Sequence, residues 1–212
     1  DNDTTCVQMI CSAPLDSGGF AVDFADNTIE KALEQAARQN RFHPVRDRML
    51  ECHRLYVESG RATKGAISRL PQDYLNRPDT PFHRESSYAY LVGMAARIFE
   101  PVRKFDPVPI LQGKQGAGKS TFWRVLSGGW FAELGKDFDN PGRMIESMLG
   151  NLICEMGEMA GLRRETADAA KEFITRQVDS FRLAYARNVQ DFPRQSVLCG
   201  TTNNDTVLHD PT

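Results

Sequence analysis

The residues Gly113-Lys-Gln-Gly-Ala-Gly-Lys-Ser120 match the pattern GxxxxGK[ST] of a phosphate-binding loop. Glycines allow successive backbone N–H groups to turn towards phosphates, and a helix beginning near Lys119 adds the positive end of its dipole. In this pattern Lys119 reaches the β- and γ-phosphates of ATP, and the Ser120 hydroxyl ligates Mg²⁺. The motif therefore predicts an ATP site rather than a chance glycine-rich turn.

The sequence around the motif supports this prediction. An apolar run, Val108-Pro-Ile-Leu111, precedes the loop, and residues 121–126 have a helical pattern. A strand, a glycine-rich loop and a helix in this order are the expected context of the motif. The residues expected to contact the nucleotide are Gly113, Gly116, Ala117, Gly118, Lys119, Ser120 and Thr121.

Short apolar runs recur along the second half of the chain, at residues 108–111, 151–154 and 196–199. Segments with helical patterns separate them, at residues 120–126, 141–149 and 166–177. Buried strands that alternate with helices predict an α/β fold, with a parallel sheet covered on both faces. With the loop above, the expected fold is an AAA+-like P-loop sheet with flanking helices.

Two acids follow the second apolar run, and an ATPase needs such carboxylates at the end of a buried strand. We assign Glu155 to the magnesium side and Glu158 to the general base, although the two roles are interchangeable at this stage. The alternative is a helix start with acids in its first turn. A GTPase is disfavoured because no buried strand precedes the DxxG-like residues 139–142 and no NKxD motif occurs.

The third apolar run ends in the polar residues Thr201-Thr-Asn-Asn204. In P-loop ATPases with an inserted central strand, a polar side chain at this position senses the γ-phosphate and orients water. Asn203 fits that role, with Thr202 as the second choice. The alternative is an ordinary turn rich in threonine and asparagine.

A basic segment lies just before this strand, between Asp179 and Arg194. Its arginines, Arg182, Arg187 and Arg194, alternate with Phe181, Tyr185 and Phe192. Arginines that bind phosphates beside aromatic rings are typical of single-strand binding, so the segment predicts a hairpin that contacts nucleic acid. Equally, the arginines can pair with Asp179 and Asp191 on a solvated surface while the rings join the core.

The first hundred residues have helical patterns rather than short apolar runs. They predict a mostly helical accessory region at residues 1–100, which precedes an ATPase domain at residues 101–212. Asn27 and Glu30 resemble a capping box at a helix start. Pro44 suits a first helical position, and Pro101 ends a helix that contains Tyr88 and Phe99.

Composition limits the remaining possibilities. The formal net charge is −2, so a nucleic-acid surface has to be local. The chain contains no apolar run of about 20 residues, which argues against a membrane span. Its 5 cysteines are scattered and odd in number, which favours reduced thiols in the cytoplasm over disulfides or a zinc site.

The order GKQGAGKST, LICEMGEM and then residues 171–205 resembles the virulence-associated E family of P-loop proteins, which are found in phages, prophages and mobile islands and are related to superfamily 3 helicases. The resemblance covers about residues 85–212. It implies an AAA+ ATPase that assembles as a homo-oligomeric ring, with a hexamer as one candidate, and translocates on single-stranded or forked DNA. It also implies that Lys119 and Ser120 belong to Walker A, Glu155 and Glu158 to Walker B, and that Asn203 is sensor 1.

Family members continue with an arginine pair that resembles an arginine finger, so we expect the ATPase domain to be incomplete at Thr212. The leading hypothesis is the motor of a replicative DNA helicase of a phage or mobile element, with ATP and Mg²⁺ as cofactors. One alternative is a regulatory or defence-type switch ATPase that does not unwind DNA. A small-molecule P-loop kinase is a weaker alternative, because the sequence lacks an arginine-rich lid and has a separate polar strand.

Overall fold

A computed structural model of the chain describes residues 2–60, 65–138, 141–158, 164–182 and 189–203. The chain divides into two compact units, residues 1–47 and 48–212. Within the described residues, no helix is both long enough and apolar enough to cross a membrane.

The first unit is helical. It contains α1 (Asn2–Ser12), a 3₁₀ turn (Leu15–Ser17), α2 (Asp26–Gln39) and the start of α3 (Pro44–Glu58). The predicted capping box at Asn27 is wrong, because the N-cap of α2 is Ala25, two residues before Asn27, and its side chain makes no capping hydrogen bond. Asp26 lies in the first turn instead, where a carboxylate is favoured by the helix dipole. Pro44 begins α3 as predicted.

The second unit adds α4 (Ala66–Leu75), which the sequence did not predict, and α5 (Pro81–Phe99). Pro71 lies inside α4 and cannot donate a backbone hydrogen bond to the preceding turn. The Ser87 hydroxyl of α5 donates to the Ile67 carbonyl at 2.6 Å and satisfies that acceptor. A contact between two helices therefore compensates for a residue that normally breaks one.

A four-stranded parallel sheet forms the centre of the second unit, and it confirms the predicted α/β class. Its strands are β1 (Ile110–Gln112), β2 (Phe131–Leu134), β3 (Ile153–Gly157) and β6 (Val197–Thr202). Their order is β1-β6-β3-β2, so that the last strand in the sequence lies between β1 and β3. The three predicted apolar runs are β1, β3 and β6, whereas β2 was not predicted.

Helices α6 (Lys119–Leu126), α7 (Gly142–Met148) and α8 (Arg164–Thr175) lie in the three segments with helical patterns. The core is built around the two inner strands. Its buried members include Leu134, Phe138, Met144, Ile145, Met148, Cys154, Met156, Ala170, Phe173 and Leu198. Because β3 and β6 are buried along almost their whole length, polar side chains at their carboxyl ends are held in fixed positions.

Helix α5 belongs with the sheet, although the sequence analysis placed it in the accessory region 1–100. The Tyr90 hydroxyl donates to the Leu198 carbonyl at 3.2 Å, and Arg97 Nη1 donates to the Ser196 carbonyl at 2.8 Å. Arg97 is almost completely buried, and burial lowers its pKa to about 10, which still leaves it charged at neutral pH. Both contacts lie within the compact unit of residues 48–212.

The basic segment forms the hairpin that was predicted, with β4 (Val178–Phe181) antiparallel to β5 (Gln190–Pro193). The rings of Phe181 and Phe192 lie 4.9 Å apart between their centroids. Cross-strand aromatic pairs of this kind stabilise antiparallel strands. The residues between Arg182 and Val189 lie outside the described part of the chain.

Candidate nucleotide site

The glycine-rich loop connects β1 to α6 at the carboxyl edge of the sheet. Gly116 and Gly118 have φ angles of 77° and 78°, in the left-handed region that glycine adopts at little cost. Gly118 is also the N-cap of α6, so the loop turns directly into the helix. The Gly113 N–H donates to the Thr202 carbonyl at 3.2 Å, which ties the start of the loop to the end of β6.

Lys119 lies at the first position of α6, and its ammonium group uses three acceptors. The Nζ atom donates to the Gly113 carbonyl at 2.8 Å and to the Lys114 carbonyl at 2.9 Å, both within the loop. It also donates to Asn203 Oδ1 at 2.8 Å, on the far side of the site. All three partners are uncharged, and Lys119 stays partly exposed, so an anion can replace them at little cost.

Glu155 lies in β3 and is 3% exposed. Its Oε1 atom accepts from the Ser120 hydroxyl at 2.8 Å and from the Thr201 hydroxyl. Its Oε2 atom is buried and has no hydrogen-bond partner among the described residues. A buried carboxylate oxygen without a donor is costly, and a cation or its bound water would satisfy it.

These residues suit Mg²⁺, which keeps several water ligands and is typically held by one or two protein oxygens together with substrate phosphates. Ser120 and Glu155 supply one hydroxyl and one carboxylate in direct contact. Within the described residues, no three His, Cys, Asp or Glu side chains lie together as a metal cage. Burial raises the pKa of the Cys199 thiol and the charge of Glu155 raises it further, so this thiol is protonated at neutral pH.

Glu158 is placed differently from Glu155. It follows the end of β3, its side chain is 74% exposed, and its φ angle of 48° is uncommon outside glycine. Lys136, which follows β2, donates to the Glu158 carbonyl at 3.3 Å and lies 3.5 Å from its Oε2. The two predicted acids therefore differ in environment, one buried beside Ser120 and one free to meet solvent.

The polar end of β6 separates the two candidate sensor residues. Asn203 is exposed and reaches Lys119, whereas Thr202 is buried and its carbonyl accepts from the loop. The first choice for the sensor thus lies beside Lys119, and the second choice faces the interior. Ala117 and Thr121 are exposed on the loop and on the first turn of α6.

The structure describes two of the three predicted nucleic-acid arginines, Arg182 and Arg194, and buries one of them. Arg194 is 2% exposed and donates through Nε to Asp179 at 2.8 Å and through Nη1 to the Phe173 carbonyl at 2.7 Å. A guanidinium that is buried in this way is not accessible to a phosphate, which corrects the prediction for Arg194. Arg182 is exposed, and Arg187 lies outside the described residues.

Two residues at this edge of the sheet were not singled out in the sequence. Thr201 is a hydroxyl residue within a buried strand, and a polar residue in such a run is a signal that could have identified it. Lys136 has no comparable signal, because its approach to Glu158 depends on the pairing of β2 with β3.

One family model and 24 chains of solved structures match this chain, and two of those chains have the following similarity. One structure of the NrS-1 C-terminal region in its A form, CTR(305–718), is 16% identical with a TM-score of 0.40, over 57% of this chain and 29% of that one. Another of the same region is 15% identical with a TM-score of 0.44, over 66% of this chain and 33% of that one. This chain spans about a third or less of each.

No curated protein matches the chain. The family model of the virulence-associated protein E-like domain matches residues 60–212, which include the sheet, the glycine-rich loop and the hairpin. The match extends over most of the chain, which therefore belongs to the virulence-associated protein E-like family.

Proposed function

We propose that this chain contains a P-loop ATPase site, which binds ATP with Mg²⁺ and hydrolyses it. The observation that carries the proposal is the meeting of three chain segments through direct side-chain hydrogen bonds. Lys119 bonds to Asn203 at 2.8 Å, and Ser120 bonds to Glu155 at 2.8 Å. The position of β6 between β1 and β3 supports the AAA+-like form of the proposal.

Phosphate binding falls to the loop and to Lys119. The loop leads through Gly118, the N-cap residue, into the first turn of α6, where the helix dipole favours negative charge. The β- and γ-phosphates would replace the loop carbonyls and Asn203 as partners of the Lys119 ammonium. This exchange replaces neutral acceptors with charged ones, so that the attraction between opposite charges is added to hydrogen bonds whose donor is already charged.

Ser120 and Glu155 would hold Mg²⁺, with Glu155 Oε2 as the acceptor that lacks a donor. When bound, the ion neutralises the charge that develops on the phosphates. Glu158 is exposed near the same edge and would accept a proton from the attacking water. Asn203, which lies within reach of Lys119, would orient that water near the γ-phosphate.

We further propose that the ATPase is the motor of a replicative DNA helicase in a phage or mobile element. It would act in the cytoplasm as a homo-oligomeric ring on single-stranded or forked DNA. Support comes from the family and from a hairpin that ends three residues before β6, the strand that leads to Asn203. Arg182 and Arg187 remain the candidate DNA contacts.

One observation favours a second candidate, a switch ATPase that does not unwind DNA. Arg194 is part of the interior, so the predicted basic surface loses one of its three arginines. Hydrolysis assays with and without single-stranded DNA separate the two functions. Stimulation by DNA supports the helicase motor, and an unchanged rate supports the switch.

The ATP site itself is tested by Lys119→Ala. We expect at least a hundredfold loss of affinity for β,γ-imido-ATP with Mg²⁺, since the variant lacks the cation that meets both phosphates. Isothermal titration calorimetry measures this affinity. Lys114→Ala is the matched control, because it removes the same charge from an exposed position on the same loop and keeps the carbonyl that Lys119 uses. Wild-type affinity in Lys119→Ala would overturn the proposal.

A further inference from the structure

Thr201 occupies an unusual place for a hydroxyl residue. It lies in β6, in register with Gly157 of β3 on one side and Leu111 of β1 on the other, and it is 6% exposed. Its hydroxyl donates to Glu155 Oε1. This hydrogen bond links β6, which leads to Asn203, directly to β3, which carries Glu155.

The two carboxylate oxygens of Glu155 differ in their hydrogen bonding. Oε1 accepts two hydroxyl donors, one from Ser120 and one from Thr201, whereas Oε2 is buried without a donor. Two donors from different segments fix the rotation of a carboxylate better than one, because rotation would break both bonds. The oxygen that remains without a donor is then always the same one.

We infer that Thr201 is a positioning residue for the magnesium side of the site. By holding Oε1 it keeps Oε2 as the oxygen available to the cation or to a water bound to it. This inference rests on the proposed function, in which Ser120 and Glu155 hold Mg²⁺. Side chains that orient metal ligands commonly change metal affinity by about 10- to 100-fold when removed.

A purely structural role makes a different prediction. If Thr201 only filled the interior, its replacement would lower the stability of the fold and leave the metal requirement of nucleotide binding unchanged. Thr201→Val keeps the shape of the side chain and removes the hydroxyl, and Thr201→Ser keeps the hydroxyl and removes the methyl group. The pair therefore separates the hydrogen bond from the packing.

The experiment measures binding of β,γ-imido-ATP to each variant by calorimetry, in EDTA and over a series of MgCl₂ concentrations. The quantity compared is the Mg²⁺ concentration that gives half of the metal-dependent gain in nucleotide affinity. We expect this concentration to be about tenfold higher for Thr201→Val than for the wild type. We expect Thr201→Ser to need the wild-type concentration, and all three proteins to have equal affinity in EDTA. Melting temperatures are recorded for each protein, and Thr201→Ala replaces Thr201→Val if the latter does not fold.

The outcomes distinguish this inference from the proposed function. A wild-type Mg²⁺ requirement in Thr201→Val or Thr201→Ala overturns the inference and leaves the ATP site standing. A loss of affinity that is equal in EDTA and in Mg²⁺ also overturns it, because it indicates a general distortion of the loop. If the wild-type protein binds no nucleotide in either condition, the proposed function fails and the inference fails with it.

Discussion

The glycine-rich loop and the β4–β5 hairpin both hold a cationic side chain against hydrogen-bond acceptors, but they hold it in different ways. Lys119 bonds to two carbonyls and one amide oxygen and stays partly exposed. Arg194 is 2% exposed, forms an ion pair with Asp179 and lies 4.8 Å from the centre of the Phe173 ring. One cation has neutral and accessible partners, and the other has a buried partner of opposite charge.

The difference indicates what each cation can do. A ligand phosphate can displace neutral acceptors from Lys119 and gain a charged hydrogen bond in exchange. Displacing Asp179 from Arg194 would leave a carboxylate buried without a partner, which costs several kcal/mol. The charge of a side chain therefore does not by itself identify a binding residue. The charge and the exposure of its hydrogen-bond partners are more informative.

The largest effect is expected at the two acids. The Glu158→Gln variant should bind β,γ-imido-ATP with the wild-type affinity and hydrolyse ATP about 10²- to 10⁴-fold more slowly, because it lacks the proposed general base. Glu155→Gln should first raise the Mg²⁺ concentration that binding requires. Single-turnover hydrolysis and calorimetry measure the two effects, with Glu146→Gln, an exposed acid on α7, as the control. If Glu155→Gln stops hydrolysis and Glu158→Gln raises the Mg²⁺ requirement, the roles proposed for the two acids are reversed.

The next effect concerns stability in the hairpin. Arg194→Met should lower the free energy of unfolding by about 3–5 kcal/mol, since it leaves Asp179 buried and unpaired. Arg182→Met, at an exposed position, should change it by no more than about 0.5 kcal/mol. Urea denaturation measures both values. A stable Arg194→Met protein with weakened DNA binding would restore the DNA role predicted from the sequence.

Pairing with a double variant sharpens this test. Asp179→Leu combined with Arg194→Met removes both charges, so neither is left alone in the interior. Its loss of stability should be clearly smaller than the sum of the two single losses. Additive losses would show that the two side chains do not depend on each other.

The sequence predicted which side chains meet at the carboxyl edge of the sheet, because its signals are local or follow from strand order. The glycine motif specifies its own backbone, and parallel buried strands bring Glu155 and Asn203 to the edge where the loop lies. Strand β2 was missed because it is only four residues long, and one of those residues is the exposed Glu133. Helix α4 was missed because Pro71 argues against a helix, and the Ser87 contact that compensates comes from another helix.

The contacts of the hairpin arginines were harder to predict from the sequence, for a different reason. Its strands and its aromatic pair follow from composition, but the partner of each arginine does not. The sequence offers Asp179 as a partner for any of the three arginines, and the structure pairs it with Arg194 across the hairpin. Only the fold determines which of several similar charges lies in the interior.

The smallest effect is expected on DNA, where the hairpin is the candidate contact. Arg187→Ala should leave ATP affinity intact and reduce single-strand affinity, since one phosphate contact is lost. The slope of log affinity against log salt concentration should flatten by roughly one unit. Fluorescence anisotropy with a labelled oligonucleotide measures both quantities over a salt series.

One control variant and a second hairpin variant complete this measurement. Arg143→Ala removes an exposed arginine on α7, outside the hairpin, and should leave the salt slope unchanged. Arg182→Ala, at the exposed end of β4, should act in the same direction as Arg187→Ala if the hairpin follows the DNA backbone. If both hairpin variants bind single-stranded DNA with the wild-type affinity and slope, the hairpin is not a DNA contact. The proposed ATP site would be unaffected by this result, and the switch ATPase would then become the better account of the molecule.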